Sequence, residues 1–324
     1  MQPLKQTTIK HMKKSISIIT IVGISFLFFF YGCTKEDEGM GERGILSLQI
    51  TDAPSDDDHI KGIFITIAGI KVNGKPVRTY VPQTIEISSF NNGKTKLILE
   101  KELASKEYQH LTLVLDKEQN DKGETPGNYV LTDDNKKHDL FEENNSSGEI
   151  EINKNFEILS SAETRLVIDF DLRKAVVHSE NVTGNSYRFA DDNGLRQAVR
   201  LVDESKTGSI TGKVYKRGKD DDQMFVLLYR KGEFDDFAET SEKEILFPGS
   251  VSSARIEQDG SYKLSFVEEG EYEIKIASFK NSDDGYHFKG FLRTTSRRTG
   301  SMLNDVSVSA GSEVELNIEI FTLI

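Results

Sequence analysis

The sequence predicts an all-β protein, two antiparallel β-sandwich domains in tandem behind an N-terminal export signal. Three observations predict it. From residue 44 onward apolar residues alternate with polar ones in many short runs, as strands do with one face on a core and one in water. Turn dipeptides, Asn73-Gly74, Asn92-Gly93 and Asp259-Gly260, fall between such runs and suit tight hairpins. A basic segment and then one apolar stretch occupy the first 32 residues. The whole chain has 324 residues, room for one to three domains at roughly 100–200 residues each.

The N-terminal segment comes first. Lys5, Lys10, Lys13 and Lys14 precede the apolar run from Ile16 to Tyr31, and Gly32 and Cys33 follow it. The run is short of the roughly 20 apolar residues a membrane span needs. Its end resembles a bacterial lipoprotein signal, with Phe30 and Tyr31 where a Leu and a small residue are usual. The resemblance implies a signal peptide over 1–32, cleavage before Cys33 and acylation of that Cys, so that acyl chains hold the protein at the membrane. The alternative is an uncleaved anchor with an inert Cys. Met12-Lys13-Lys14 would open a signal of ordinary length, so Met1 and Met12 are both candidate starts.

Residues 33–43 read as the lipidated Cys and a flexible tether, polar and glycine-bearing. Lys35-Glu36-Asp37-Glu38 resembles the acidic tag that sends some lipoproteins to the outer face of the outer membrane; a solvated linker is the alternative. The expectation is an outer-membrane lipoprotein exposed at the cell surface, or else facing the periplasm. The whole chain carries a net charge of −12. Taking the four lysines of residues 1–32 from 41 basic residues leaves 37 against 53 acidic, a net charge of −16. That balance argues against nucleic acid as a partner, which needs clustered Lys and Arg. It also repels anionic lipid, so the folded part is expected to stand off the membrane.

The first domain is expected over 44–202. Leu46, Leu48 and Ile50 alternate with Ser47, Gln49 and Thr51, and Ile63, Ile65 and Ile67 follow at period two. Tyr108, Leu111, Leu113 and Leu115 mark another strand, Ile150 and Ile152 another, and Leu166-Val167-Ile168 a further one. Residues 96–108, KLILEKELASKEY, predict one short helix. The segments 118–128 and 133–148 are rich in Asn, Asp, Glu, Lys and Gly and read as long exposed loops. Three stretches, LSLQITDAP at 46–54, EYQHLTLVLD at 107–116 and LVIDFDLRKAVV at 166–177, precede Tyr187 and a closing strand from Arg196 to Val202. Together they resemble the bacterial lipoprotein family known as domain of unknown function 4382. The resemblance implies an extracytoplasmic β-sandwich and no established activity.

The polar run DESKTG at 203–208 marks a boundary, and the second domain is expected over 208–324. Val314, Leu316, Ile318 and Ile320 alternate with Glu313, Glu315, Asn317 and Glu319 in a terminal strand. QDGSYKLSFVEEGEYEIKIAS, residues 258–278, resembles the carboxypeptidase regulatory-like or transthyretin-like sandwich. In that fold the pattern is a hairpin whose Tyr, here Tyr272, anchors the core.

Sites of chemistry are few. One Cys excludes a disulfide framework and a Cys-cluster zinc site. His11, His59, His110, His138, His178 and His287 show no metal-ligand spacing, and no G-x-S-x-G, P-loop or G-x-G-x-x-G occurs. Asp169 and Asp171 project to one face of a strand, and Asp52 could approach them if the first and last strands of the domain are neighbours. Three converging carboxylates would suit Ca²⁺; the plainer reading is that Asp52 starts a turn and the other two sit on a solvated face. Asp56-Asp57-Asp58, Asp191-Asp192-Asn193-Gly194 and Asp220-Asp221-Asp222 lack the spacing of a calcium loop and read as charged loops. The sequons at Asn144 and Asn181 matter little in a bacterial lipoprotein. Arg293, Arg297 and Arg298, with Lys280 and Lys289, form the one basic cluster.

Three functions follow. The first is a non-catalytic, lipid-anchored envelope protein that binds a glycan or protein ligand or serves as structure. A more specific form is a pilin-like or adhesin subunit, processed after Arg43 and polymerised by donation of the terminal strand. The third is a metal-dependent hydrolase using Asp52, Asp169, Asp171 and His110 or His178.

Overall fold

The computed structural model describes residues 41–53, 57, 59–141, 148–179, 186–215, 223–241, 245–282 and 285–322. The export signal, Cys33, the acidic run after it, Asp56, Asp58, Asp220-Asp221-Asp222 and the sequons at Asn144 and Asn181 lie outside the described residues. Glu42–Ile324 forms one compact unit. Among the described residues no helix is long and apolar enough to cross a membrane.

Residues 43–203, the first lobe, make two sheets. In the smaller, β1 (Arg43–Ala53) lies between β5 (Lys96–Ala104) and β10 (Glu163–Asp171), and β13 (Val199–Asp203) closes the edge beyond β10. The larger is built on β2 (Ile60–Val72), which pairs with β3 (Lys75–Pro76), β4 (Gln83–Glu86), β6 (Glu107–Leu115) and β7 (Tyr129–Thr132). Past β6 lies β9 (Glu149–Glu157). Past β7 lie β8 (Lys137–Phe141), β12 (Ser186–Phe189) and β11 (Val176–Ser179). The alternation seen in the sequence places Leu46, Leu48 and Ile50 of β1 against Ile63, Ile65 and Ile67 of β2, all fully buried in one core. Each such side chain contributes about 1.5–3 kcal/mol through burial. Two short helices, α1 (Leu172–Ala175) and α2 (Asp192–Ala198), follow β10 and precede β13.

Residues 207–322, the second lobe, form one sheet that turns on itself. Its strands are β14 (Thr207–Tyr215), β15 (Gln223–Arg230), β16 (Ser252–Arg255), β17 (Ser261–Glu268), β18 (Gly270–Ser282), β19 (Gly285–Ser296), β20 (Val306–Val308), β21 (Glu313–Glu315) and β22 (Ile318–Thr322). The order is β16-β15-β18-β19-β22-β14-β17, with β20 beside β18 and β21 beside β14. Val226 and Leu228 of β15 and Ile274 and Ile276 of β18 meet Ile210 of β14 and Leu264 of β17 in the core. Their strand neighbours Phe225, Leu227, Tyr229, Ala277 and Phe279 face the other way and are buried too. Residues 231–241, which carry α3 (Asp236–Ser241), and 245–250 cover that face with Phe234, Leu246 and Phe247. Period-two sequence therefore gives two cores here. Tyr272 is buried, and its hydroxyl donates to Glu268 O at 2.7 Å.

The structure corrects several expectations. Residues 96–108 are not a helix: β5 and the start of β6 occupy them, and Ile98 and Leu99 are both buried. Pairing with β1 outweighs the helical propensity of this Glu- and Lys-rich stretch. Loop 133–148 contains β8. Asn73-Gly74 is a true hairpin turn between β2 and β3, with φ of 47° and 72° at its two residues, as a type I′ turn requires. The other two dipeptides join strands that are not paired with each other: β4 pairs with β2 while β5 pairs with β1, and β16 pairs with β15 while β17 pairs with β14. The sheets are mainly antiparallel, but β1 runs parallel to β10, β8 to β12, and β14 to both β21 and β22. The terminal strand is split into β21 and β22, and β22 sits between β14 and β19 inside its own sheet.

Candidate functional site at the seam between the lobes

The parallel pairing of β1 with β10 decides where the acids go. The register aligns Thr51 with Asp169, Asp52 with Phe170 and Ala53 with Asp171, so all three acids gather where the two strands end. They differ in what they touch. Asp169 faces Arg200 across the β10–β13 pair, and Arg200 donates to its Oδ2 from Nε at 2.8 Å and Nη2 at 2.6 Å. Asp171 Oδ2 accepts from Arg173 Nη2 at 3.0 Å and lies 3.6 Å from Lys174 Nζ. Asp52 is buried, and neither of its carboxyl oxygens has a protein hydrogen-bond partner. Burial, then the charges of Asp169 and Asp171, hold its carboxyl well above the usual range; the nearby backbone N–H of Leu172, outside hydrogen-bond geometry, opposes them weakly.

Arg173 and Lys174 cross to the second lobe. The Arg173 guanidinium donates to Leu246 O, reaches Ser250 Oγ at 2.8 Å and lies 5.4 Å from the centre of the Phe247 ring. Lys174 Nζ donates to Ser250 O. Burial pushes the Lys174 ammonium down to about 8 against the pull of Asp171. The receiving segment is itself fixed. Glu239 of α3 is buried, and it accepts from Tyr229 Oη and Gly249 N at 3.0 Å each. Beside this clasp lies a cleft of about 280 Å³ bordered by Asp169, Lys174, Arg200, Arg230, Glu268 and Tyr272. A smaller cavity of about 20 Å³ lies against Asp52. The Asn92-Gly93 turn borders it from the first lobe. Gly93 has φ of 84°, and a Cβ there would fall 2.6 Å from Ser265 Oγ of β17.

The other residues singled out in the sequence lie elsewhere. Arg43 is the first residue of β1, not a tether residue, and its Nε lies 3.3 Å from Glu102 Oε2 on β5. His110 is on β6, where its backbone N–H donates to Asn73 Oδ1 at 3.3 Å, and His178 on β11 stacks on Tyr187 at 4.8 Å; neither borders the cleft or the cavity. Asp191 accepts from Gly194 N at 2.7 Å and caps α2. Arg297 lies over the Tyr215 ring at 3.6 Å. Among the described residues no three His, Cys, Asp or Glu side chains are arranged to hold a metal ion. Arg200, Ser250 and Glu239 were not singled out in the sequence, because nothing local marks a residue whose partner is 10 to 77 positions away.

Solved structures similar to this chain include the TIE protein of Bacillus anthracis, 11% identical, covering 86% of this chain and 34% of that one, with a TM-score of 0.18. The chain thus spans about a third of that protein's length. BcpA, the major pilin subunit of Bacillus cereus, is 11% identical over 86% of this chain and 70% of that one, with a TM-score of 0.19. The minor pilin of Streptococcus agalactiae is 9% identical over 86% and 96%, with a TM-score of 0.21. At these scores the likeness carries no argument about function. No curated protein matches the chain. A family model does: residues 43–189 match the family described as "Domain of unknown function (DUF4382)".

Proposed function

We propose that this chain is a non-catalytic, lipid-anchored protein of the cell envelope, in which two β-sandwiches act as one rigid surface module that binds a macromolecule or serves as structure. The observation that supports it most is the clasp. Arg173 and Lys174 place buried charges of the first lobe on backbone and side-chain oxygens of the second. Buried charges of this kind fix one arrangement, because any other leaves them unpaired. Tethered through Cys33, such a module presents its exposed faces in constant relation to each other.

Metabolic acyl labelling of wild type and Cys33→Ala, with protease shaving of intact cells, tests the reading. Label lost in the variant and protein removed by shaving is the expected result. Labelled protein that resists shaving would turn the module toward the periplasm and end the surface reading. No label in the wild type would remove the lipid anchor.

A further inference from the structure

The small cavity in the seam has an unusual lining. It is bordered by Asp52, Asn92 and Asp169 of the first lobe and by Ser253, Lys263 and Ser265 of the second. Four oxygens there have no protein hydrogen-bond partner and are buried: both carboxyl oxygens of Asp52, Ser253 Oγ and Ser265 Oγ. Buried polar groups in folded proteins are nearly all partnered. Four orphans around a void of about 20 Å³ therefore point to one species that serves them together. A void of roughly 10–15 Å³ admits one water-sized particle. Lys263 also borders the cavity.

The orphan set contains oxygens alone. An anion would meet the carboxylates of Asp52 and Asp169. A hard cation is the partner such a set suits; of the two carboxylates, Asp169 is already shared with Arg200. Ca²⁺ accepts irregular sets of carboxylate, hydroxyl, amide and water oxygens, whereas Mg²⁺ demands a near-ideal octahedron. We propose that this cavity binds one Ca²⁺-sized cation, held by Asp52 from the first lobe and by Ser253 and Ser265 from the second. Asn92 and Asp169 border it and complete the oxygen shell together with water. Asp171, which the sequence grouped with Asp52, serves the clasp instead. The cation is bound by the carboxylate form of Asp52. The site exists only while the lobes are docked, and the cation strengthens the seam.

The test uses full-length protein in detergent, stripped with EDTA and titrated with CaCl₂. At about pH 7.5 calorimetry is expected to show one site per chain. At a hundredfold excess over Kd, Tm should rise by about 5 °C. MgCl₂, and NaCl at matched ionic strength, should not reproduce the rise. Asp52→Asn should abolish the response while the metal-free chain stays folded. Ser253→Ala with Ser265→Ala should weaken binding at unchanged stoichiometry. No heat and no Tm change in the wild type up to about 10 mM, far above the range of extracellular calcium modules, would leave the cavity to water and overturn the proposal. So would a Ca²⁺ response that survives Asp52→Asn, or one that NaCl matches.

Discussion

Arg173 has its guanidinium almost wholly buried between Asp171, Leu246 O, Ser250 Oγ and the Phe247 ring. Removing one partner of a buried ion pair is costly because the other charge stays behind. Arg173→Met should lower stability by about 3 kcal/mol, the low end of the usual range because Lys174 still lies 3.6 Å from Asp171. Urea unfolding measures this, and an unchanged midpoint would mean that the clasp contributes nothing. Lys174 carries a pH signature. Its ammonium titrates at about 8 when folded, against about 10.4 when unfolded. Between these values the unfolded chain holds more protons, so this group's contribution to stability rises with pH. Below about pH 8 the full cost of burying its charge applies. Tyr229 and Tyr262 act in the opposite sense, and at higher pH: burial raises their hydroxyls above 10, so their contribution falls as pH passes that of a free tyrosine. The stability of Lys174→Met relative to wild type should therefore decline from pH 8 to pH 10. A difference independent of pH would show that Lys174 keeps an ordinary affinity for its proton.

The terminal strand makes the clearest prediction among the elements. β22 lies between β14 and β19, and Ile318 and Ile320 are buried in the second core. Donation to another subunit would open two strand edges and expose both side chains. Deleting residues 318–324 should thus unfold the second lobe, seen as loss of its protection from hydrogen exchange and from proteolysis. A folded, soluble truncated chain would reopen strand donation. The same element shows where sequence reading works and where it stops. Alternation in 313–320 marked strand, core face and solvent face, because burial on one side imposes period two. It missed the break at Leu316-Asn317, where Leu316 N donates to Thr211 O and Leu316 O accepts from Tyr262 Oη. The stretch 96–108 misled for a related reason: its Glu, Lys and Leu favour helix locally, and only β1 alongside makes it a strand. In the seam, the sequence showed that Asp52 could meet Asp169 and Asp171 if strand neighbours allowed. Parallel pairing of β1 and β10 supplies that condition. The cations that occupy two of the acids, and the serines that border the same cavity as the third, come from distant elements. Their convergence is a property of the assembled lobes and leaves no local pattern to read.

At the scale of the whole molecule the issue is whether two cores behave as one. Buried residues of the first lobe and those of the second form separate clusters. Each lobe therefore has a core of its own, and cooperativity between them must come from the seam. The seam offers the Arg173–Lys174 clasp, the stacking of Arg173 on Phe247, the approach of Gly93 to Ser265 and the ion pair of Lys154 with Glu268 at 2.8 Å. The last is half exposed and contributes little, on the order of 0–1 kcal/mol. Coupling thus rests on Arg173 and Lys174. When the second lobe unfolds, their charges lose every partner at Leu246 and Ser250 while still held beside Asp171, and the first lobe is destabilised by that loss. Calorimetry of the wild type should accordingly show one unfolding transition, with calorimetric and van't Hoff enthalpies in agreement. Arg173→Met combined with Lys174→Met should divide it into two, because each core then answers to its own stability. Two transitions already present in the wild type would make the lobes independent beads on one chain, and the rigid surface module would have to be given up.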